Sequence, residues 1–201
     1  MAHPDITKYQ QILDSIAGYA PLSEHEIDLI TSRLTFRKIK KNQFLLQRDE
    51  VARLDSYVTR GCLKASFIDK RGQEHIVRLA IEDEWITDHD SFLNATPSRL
   101  EILALEDSEL WQIDHDSLEQ LFGACPSFER AYRIMTQQLF VRLNRCLISF
   151  LSSSAEERYR DFTREHPGYV NRIPQYLIAS YLGMSPEYLS RIRSRQLVNG
   201  V

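Results

Sequence analysis

The spacing of hydrophobic positions along this chain changes twice, and the changes divide it. Over the first 33 residues Ile6, Ile12, Ile16 and Tyr19 recur at helical spacing until Pro21 breaks the pattern. Ser23 with Glu26 three residues later has the form of a capping box and predicts a helix through Ile27, Leu29 and Ile30. From Thr35 to Ile113 the period falls to 2. Short β-rich runs at Phe36–Ile39, Phe44–Leu46, Tyr57 and Cys62–Ile68 are separated by polar turns. The clearest hairpin joins Ala65–Ile68 to His75–Ala80, with Gly72 able to supply a left-handed residue in the turn. Further strands are predicted at Ser98–Leu105 and Glu109–Ile113. Short strands so closely spaced favour an antiparallel β-barrel or sandwich over a parallel sheet. Asp116 and Glu119 predict the caps of a short helix that Gly123 ends.

Helical spacing returns at Pro126 and persists to Ser152. Phe128, Tyr132, Met135, Leu139, Leu143, Cys146 and Phe150 step by 4, 3, 4, 4, 3 and 4, the a/d seam that keeps one stripe facing a partner helix. A second stripe, Ala131, Ile134, Phe140, Leu147 and Leu151, can lie on the barrel. Two readings follow: a dimerisation helix, or a helix packed wholly within its own domain. The Ser-rich stretch Leu151–Ser154 marks a hinge, a helix follows over Ala155–Glu165, and Pro167-Gly168 ends it. The chain is therefore expected to be α+β, with domains at 1–125, 126–152 and 153–201.

The last segment carries the most specific pattern. A helix-turn-helix needs a small residue where its helices touch, Gly at a turn with positive φ, and apolar residues at fixed offsets. Counting from Gln175, Ile178, Ala179, Leu182, Gly183, Met184, Leu189 and Ile192 meet those requirements. Ser185 caps the second helix, and Pro186 takes its first position, where a missing N–H costs nothing. The outward residues Glu187, Ser190, Arg191, Ser194 and Arg195 are polar. Arg bonds guanine bidentately and Glu accepts from the cytosine amino group, so this face suits the major groove of double-stranded DNA. An ordinary αα-hairpin would not require so many offsets at once.

Composition changes the picture in three places. Hydrophobic residues make up 43% of the 201 and charged residues 26%, the profile of a soluble globular protein. No run reaches the roughly 18 apolar residues of a membrane span, and Met1–Asp5 does not open a signal peptide, so a cytoplasmic location without membrane contact is expected. Cys62, Cys125 and Cys146 are scattered, which predicts reduced and mostly buried thiols rather than disulfides, zinc or iron–sulfur ligation. The net charge of −3 looks wrong for a DNA reader until it is divided. From residue 172 onward Arg172, Arg191, Arg193 and Arg195 face only Glu187, a balance of +3, and the preceding 171 residues carry −6. Attraction to DNA depends on the charges that face it.

In this order (β-rich half, long helix, helix-turn-helix) the chain resembles the CRP/FNR superfamily of bacterial transcription regulators over nearly its whole length. The most specific piece is Gly183–Ile192, where Glu187, Ser190 and Arg191 look like the E-x-x-S-R base-reading set of the FNR branch. The resemblance implies a cyclic-nucleotide-binding-like jelly-roll sensor, a homodimer, a palindromic site with half-sites one helical turn apart, and RNA polymerase as a partner. Tyr188 is bulkier than the Thr common in the family at that place. The sensor departs further. Thr87-Asp88 falls where the family holds a ribose hydroxyl with Gly-Glu, and Ser98-Arg99 falls where an Arg holds the cyclic phosphate. Ser98 thus replaces the phosphate-binding Arg, and Arg99 is expected on the other face of a strand. Cyclic AMP is not the expected effector. No cofactor is implied, and the barrel is expected to take an unknown small molecule or to act as a scaffold. The Asp-His-Asp triplets at 88–90 and 114–116 invite a metal, but strand alternation would separate His89 from its aspartates. Only Gln196–Val201 follow Arg195, so a C-terminal wing is expected to be missing or reduced and the salt dependence of binding modest.

A competing class is a small-molecule-binding module whose last helices bind protein. Burial of Arg191 and Arg193 in ion pairs would favour it, whereas a reader leaves Arg191 exposed. No Ser/His/Asp or Cys/His set and no Gly-rich phosphate loop is apparent, so no enzymatic activity is expected.

Overall fold

The computed structural model describes residues 6–198, with side chains from Thr7 to Arg195. The opening Met1–Asp5 and the wing position beyond Val198 lie outside the described residues. A 3₁₀ turn (Ile6–Tyr9) leads into α1 (Gln10–Ala17), whose Ile12, Leu13 and Ile16 are buried. The predicted capping box opens α2 (Glu24–Arg33): Ser23 Oγ accepts from the Glu26 N–H, and the Glu26 carboxylate accepts from the Ser23 N–H. Eight strands follow: β1 (Thr35–Ile39), β2 (Phe44–Leu46), β3 (Leu54–Arg60), β4 (Leu63–Ile68), β5 (Glu74–Ala80), β6 (Trp85–Ile86), β7 (Glu101–Ala104) and β8 (Ser108–Asp114). They form two four-stranded sheets, β1-β8-β3-β6 and β2-β7-β4-β5. The arrangement is jelly-roll-like, and neither sheet closes into a barrel.

Central strand β8 shows why alternation was faint in places. Leu110, Trp111, Gln112 and Ile113 are all buried, on both faces of the strand. Trp111 stacks on Tyr9 at 4.2 Å, and Gln112 Nε2 donates to Ser56 Oγ of β3 at 2.9 Å. A strand covered on both sides loses its polar half. The hairpin between β4 and β5 forms as expected, with Gly72 at φ +79° and Asp69 Oδ1 accepting from the N–H groups of Arg71 and Gln73.

Two helices interrupt or follow the sheets, and each opens on the same four residues, Asp-His-Asp-Ser. Asp88 caps α3 (His89–Asn94) and Asp114 caps α4 (His115–Ala124). The expected caps at Asp116 and Glu119 are therefore corrected. The cap must hold extended backbone, which Asp114 has as the last residue of β8 (φ −82°, ψ 163°). Gly123 lies inside α4 rather than ending it.

The chain continues as α5 (Pro126–Ser152), α6 (Ala155–Glu165), α7 (Pro167–Val170), α8 (Gln175–Tyr181) and α9 (Pro186–Val198). Two compact units result. One holds the chain up to Ala65 together with Ala80–Leu139, and the other holds Ser66–Leu79 with the chain from Phe140 onward. In the first unit Phe128 and Ala131 of α5 are buried, and the Tyr132 hydroxyl donates to buried Asp55 at 3.0 Å. In the second unit Phe150 meets Gly183 and Arg158, and Cys146 Sγ lies 4.0 Å from the Tyr181 hydroxyl.

Both stripes change environment along the helix. Phe128 and Ala131 are buried and Tyr132 and Ile134 half-buried, whereas Phe140, Leu143, Cys146, Leu147, Phe150 and Leu151 are exposed, Cys146 and Phe150 even though they touch Tyr181, Gly183 and Arg158. Leu143 of the expected seam joins the exposed face, while Met135 and Leu139 are half-buried. Cys62 and Cys125 are buried and Cys146 is exposed, all three unbridged.

One carboxylate anchors two helices. Besides closing the capping box of α2, Glu26 accepts from the Ser127 N–H at the start of α5 at 3.0 Å. Those donors, the Ser23 N–H first, hold its carboxyl below the usual value of 4.5. A depressed folded pKa adds stability above the unfolded value and withdraws it as pH falls through the folded one. Unfolding midpoints should therefore drop below pH 4.5 in the wild type. Glu26→Gln should lose about 1 kcal/mol at pH 7 and show a flatter acid limb in thermal melts. Parallel acid limbs would remove Glu26 from this role.

Candidate nucleic-acid interface

The turn between α8 and α9 is built by backbone rules before any DNA is considered. Ile178 and Ala179 are fully buried in α8, and Ala179 leaves room for the second helix. Gly183 takes φ +66°, while its N–H donates to the Ser180 carbonyl and the Met184 N–H to the Ala179 carbonyl. This Schellman pair satisfies the last carbonyls of α8 and redirects the chain. Ser185 Oγ then accepts from the Tyr188 N–H at 3.2 Å and caps α9. Leu189 and Ile192 are buried beneath it, and Leu182 is buried in the turn. The expected offsets occupy their expected places.

A contact that sequence reading missed fixes this turn to the end of α5. A Cβ at Gly183 would lie 2.5 Å from Phe150 Cε1, so the backbone and the ring are in direct contact. Arg158 of α6 spans the same joint. Its Nε donates to the Leu182 carbonyl at 3.0 Å, its Nη1 to the Ser153 carbonyl at 2.7 Å, and its guanidinium lies 5.2 Å over the Phe150 ring. Arg158 bonds backbone carbonyls, which leave no mark in sequence, and Phe150 had a place in the seam.

The outward face of α9 is as polar as predicted. Ser185, Glu187, Ser190, Arg191, Ser194 and Arg195 are exposed, and Tyr188 is half-buried. The guanidinium of Arg191 lies 5.3 Å over the Tyr188 ring. The Glu187 carboxyl is held below its usual value by its own backbone N–H, then by the Ser185 hydroxyl and the Arg191 charge. It stays an acceptor at neutral pH. Ser194 Oγ donates to the Ser190 carbonyl at 3.0 Å. Arg195 pairs with Glu156 of α6 at 3.1 Å. An exposed pair of this kind is worth about 0–1 kcal/mol, too little to withhold Arg195 from a phosphate.

In the other unit Asp88 and Ser98 are brought together, but toward each other. Ser98 Oγ donates to Asp88 Oδ2 at 2.7 Å, while Asp88 Oδ1 accepts from the Asp90 and Ser91 N–H groups of α3. Thr87 Oγ1 donates to the Leu54 carbonyl, and Arg99 is exposed. The predicted strand at 98 starts instead at Glu101, so Arg99 lies in a bend before it. A cyclic phosphate needs a cation where this site offers a buried carboxylate and a hydroxyl already in use. These residues do not fit a cyclic mononucleotide. Among the described residues no three His, Cys, Asp or Glu side chains gather as a metal site. No described helix is long and apolar enough to cross a membrane.

Residues 36–125 match the cyclic nucleotide-binding domain family. A comparison with curated protein sequences returns no match. Among solved structures, FixK2 from Bradyrhizobium japonicum superposes with a TM-score of 0.73 at 19% identity, covering 84% of this chain and 86% of that one. The c-di-GMP-responsive regulator CLP of Xanthomonas campestris gives 0.70 at 14% identity, covering 89% and 93%. The Thermus thermophilus catabolite activator protein gives 0.54 at 21% identity, covering 90% and 86%. The chain has the CRP/FNR fold.

Within that CRP/FNR fold, the helix-turn-helix depends on Gly183. Ala at φ +66° carries a backbone penalty of about 1–2 kcal/mol, and its methyl must also displace the Phe150 ring. Gly183→Ala should lower stability by about 2–3 kcal/mol in denaturant unfolding. An unchanged midpoint would mean that the turn is not held against Phe150.

Proposed function

We propose that the protein is a sequence-specific DNA-binding transcription regulator of the CRP/FNR type, without enzymatic activity. The observation that carries this reading is the division of α9. Leu189 and Ile192 are buried beneath it, whereas Glu187, Ser190 and Arg191 are exposed. A helix that served only for packing would bury its arginines in ion pairs. Arg191 instead lies exposed on an aromatic ring, which weighs against the protein-interaction alternative.

In this reading the protein acts as a homodimer. The exposed stripe of Phe140, Leu143, Leu147 and Leu151 covers two helical turns and more, too apolar a face to leave in water. A second copy covers it in register with a two-fold axis, and each protomer presents one α9 to one half of a palindrome. The chain divides functionally into a sensor at 1–125, a dimerisation helix at 126–152 and a reader at 153–201. It works in the cytoplasm, with RNA polymerase as a partner. The bond between Ser98 and Asp88 supports an effector other than a cyclic mononucleotide, or a sensor that serves as a scaffold.

Selection from a random duplex pool at moderate salt should return a palindrome with half-sites one helical turn apart. Arg191→Ala should then weaken the preferred site by about 1–3 kcal/mol and relax base choice at one position per half-site. No common sequence in the pool would sink the reading. An equal loss on every duplex would make Arg191 a phosphate contact.

A further inference from the structure

We infer that Tyr188 is a positioning residue for Arg191, setting which base edge the guanidinium reaches, and is not itself a phosphate contact. The inference rests on the DNA-reading role proposed above and deepens it.

The backbone at Tyr188 is fixed, because its N–H is the one that Ser185 Oγ accepts in capping α9. The side chain is half-buried although Glu187 before it and Ser190 beyond it are exposed. Three residues on, the spacing that brings helix side chains together, Arg191 lays its guanidinium 5.3 Å over the ring. A guanidinium held over an aromatic face by its charge engages the ring without using its N–H donors in hydrogen bonds, which leaves them for a base. A bidentate bond to guanine O6 and N7 requires those donors. An unsupported Arg must give up rotamer freedom when it binds a base, whereas a stacked one has lost much of it already. The ring carries this role and the hydroxyl does not.

The test uses the full-length dimer and two labelled duplexes. One is the selected palindrome, and the other replaces the guanine at the position relaxed by Arg191→Ala with adenine. The ratio of the two affinities is the readout, which a general loss of stability does not move. Tyr188→Phe should keep the wild-type ratio within about twofold, because the ring remains. Tyr188→Ala and Tyr188→Leu should each lower it about three- to fivefold, the size of an exposed cation–π contact. Neither should lower it further in an Arg191→Ala background. Equal weakening of both duplexes by Tyr188→Phe would make the hydroxyl a phosphate contact and overturn the inference. So would an unchanged ratio in Tyr188→Ala, or a loss that persists without Arg191. If the wild type binds no selected duplex, the DNA reading itself falls and this inference falls with it.

Discussion

The helix-turn-helix depends on one close approach, that of the Gly183 backbone to the Phe150 ring. Only glycine supplies both the left-handed turn and the missing Cβ that the approach demands. Arg158 secures it with two charge-assisted bonds to carbonyls, one at the end of α5 and one in the helix-turn-helix turn. Because those carbonyls belong to different elements, the guanidinium fixes the turn to the helix that precedes it. The orientation of α9 then follows from Leu189 and Ile192 beneath it and Ser185 at its start.

At its other end α5 is tied by a different chemistry. Glu26 bonds the first N–H groups of α5 and of the α2 capping box, and Tyr132 reaches buried Asp55 a turn later. Over the second half of the helix Phe140, Leu143, Leu147 and Leu151 are exposed to solvent. In the β-rich unit Asp88 accepts from Ser98 and also caps α3, so its carboxylate is already engaged within the chain.

Much of this was legible in the residues. The helix-turn-helix offsets, the Ser23 capping box, the Gly72 hairpin and the limits of α5 were written in local chemistry, and each element formed where that chemistry put it. Three features were less visible, for separate reasons. The facing of α5 is not written in its spacing, because each stripe is covered toward Pro126 and exposed toward Ser152. The cap of α4 was placed at Asp116 because strand and helix meet without a loop, so Asp114 serves both. Arg158 went unnoticed because its partners are backbone atoms, and backbone partners have no residue type. The two Asp-His-Asp triplets are both helix starts, with Asp88 capping α3 and Asp114 capping α4.

In the proposed function a paired reader enters two successive major grooves. Methylation protection of guanine N7 on the selected duplex tests it most directly, because N7 lies in the major groove. The prediction is two protected patches on one face of the duplex, about one helical turn apart, both lost together in Arg191→Ala. A single protected patch, or protection confined to the minor groove at adenine N3, would contradict it.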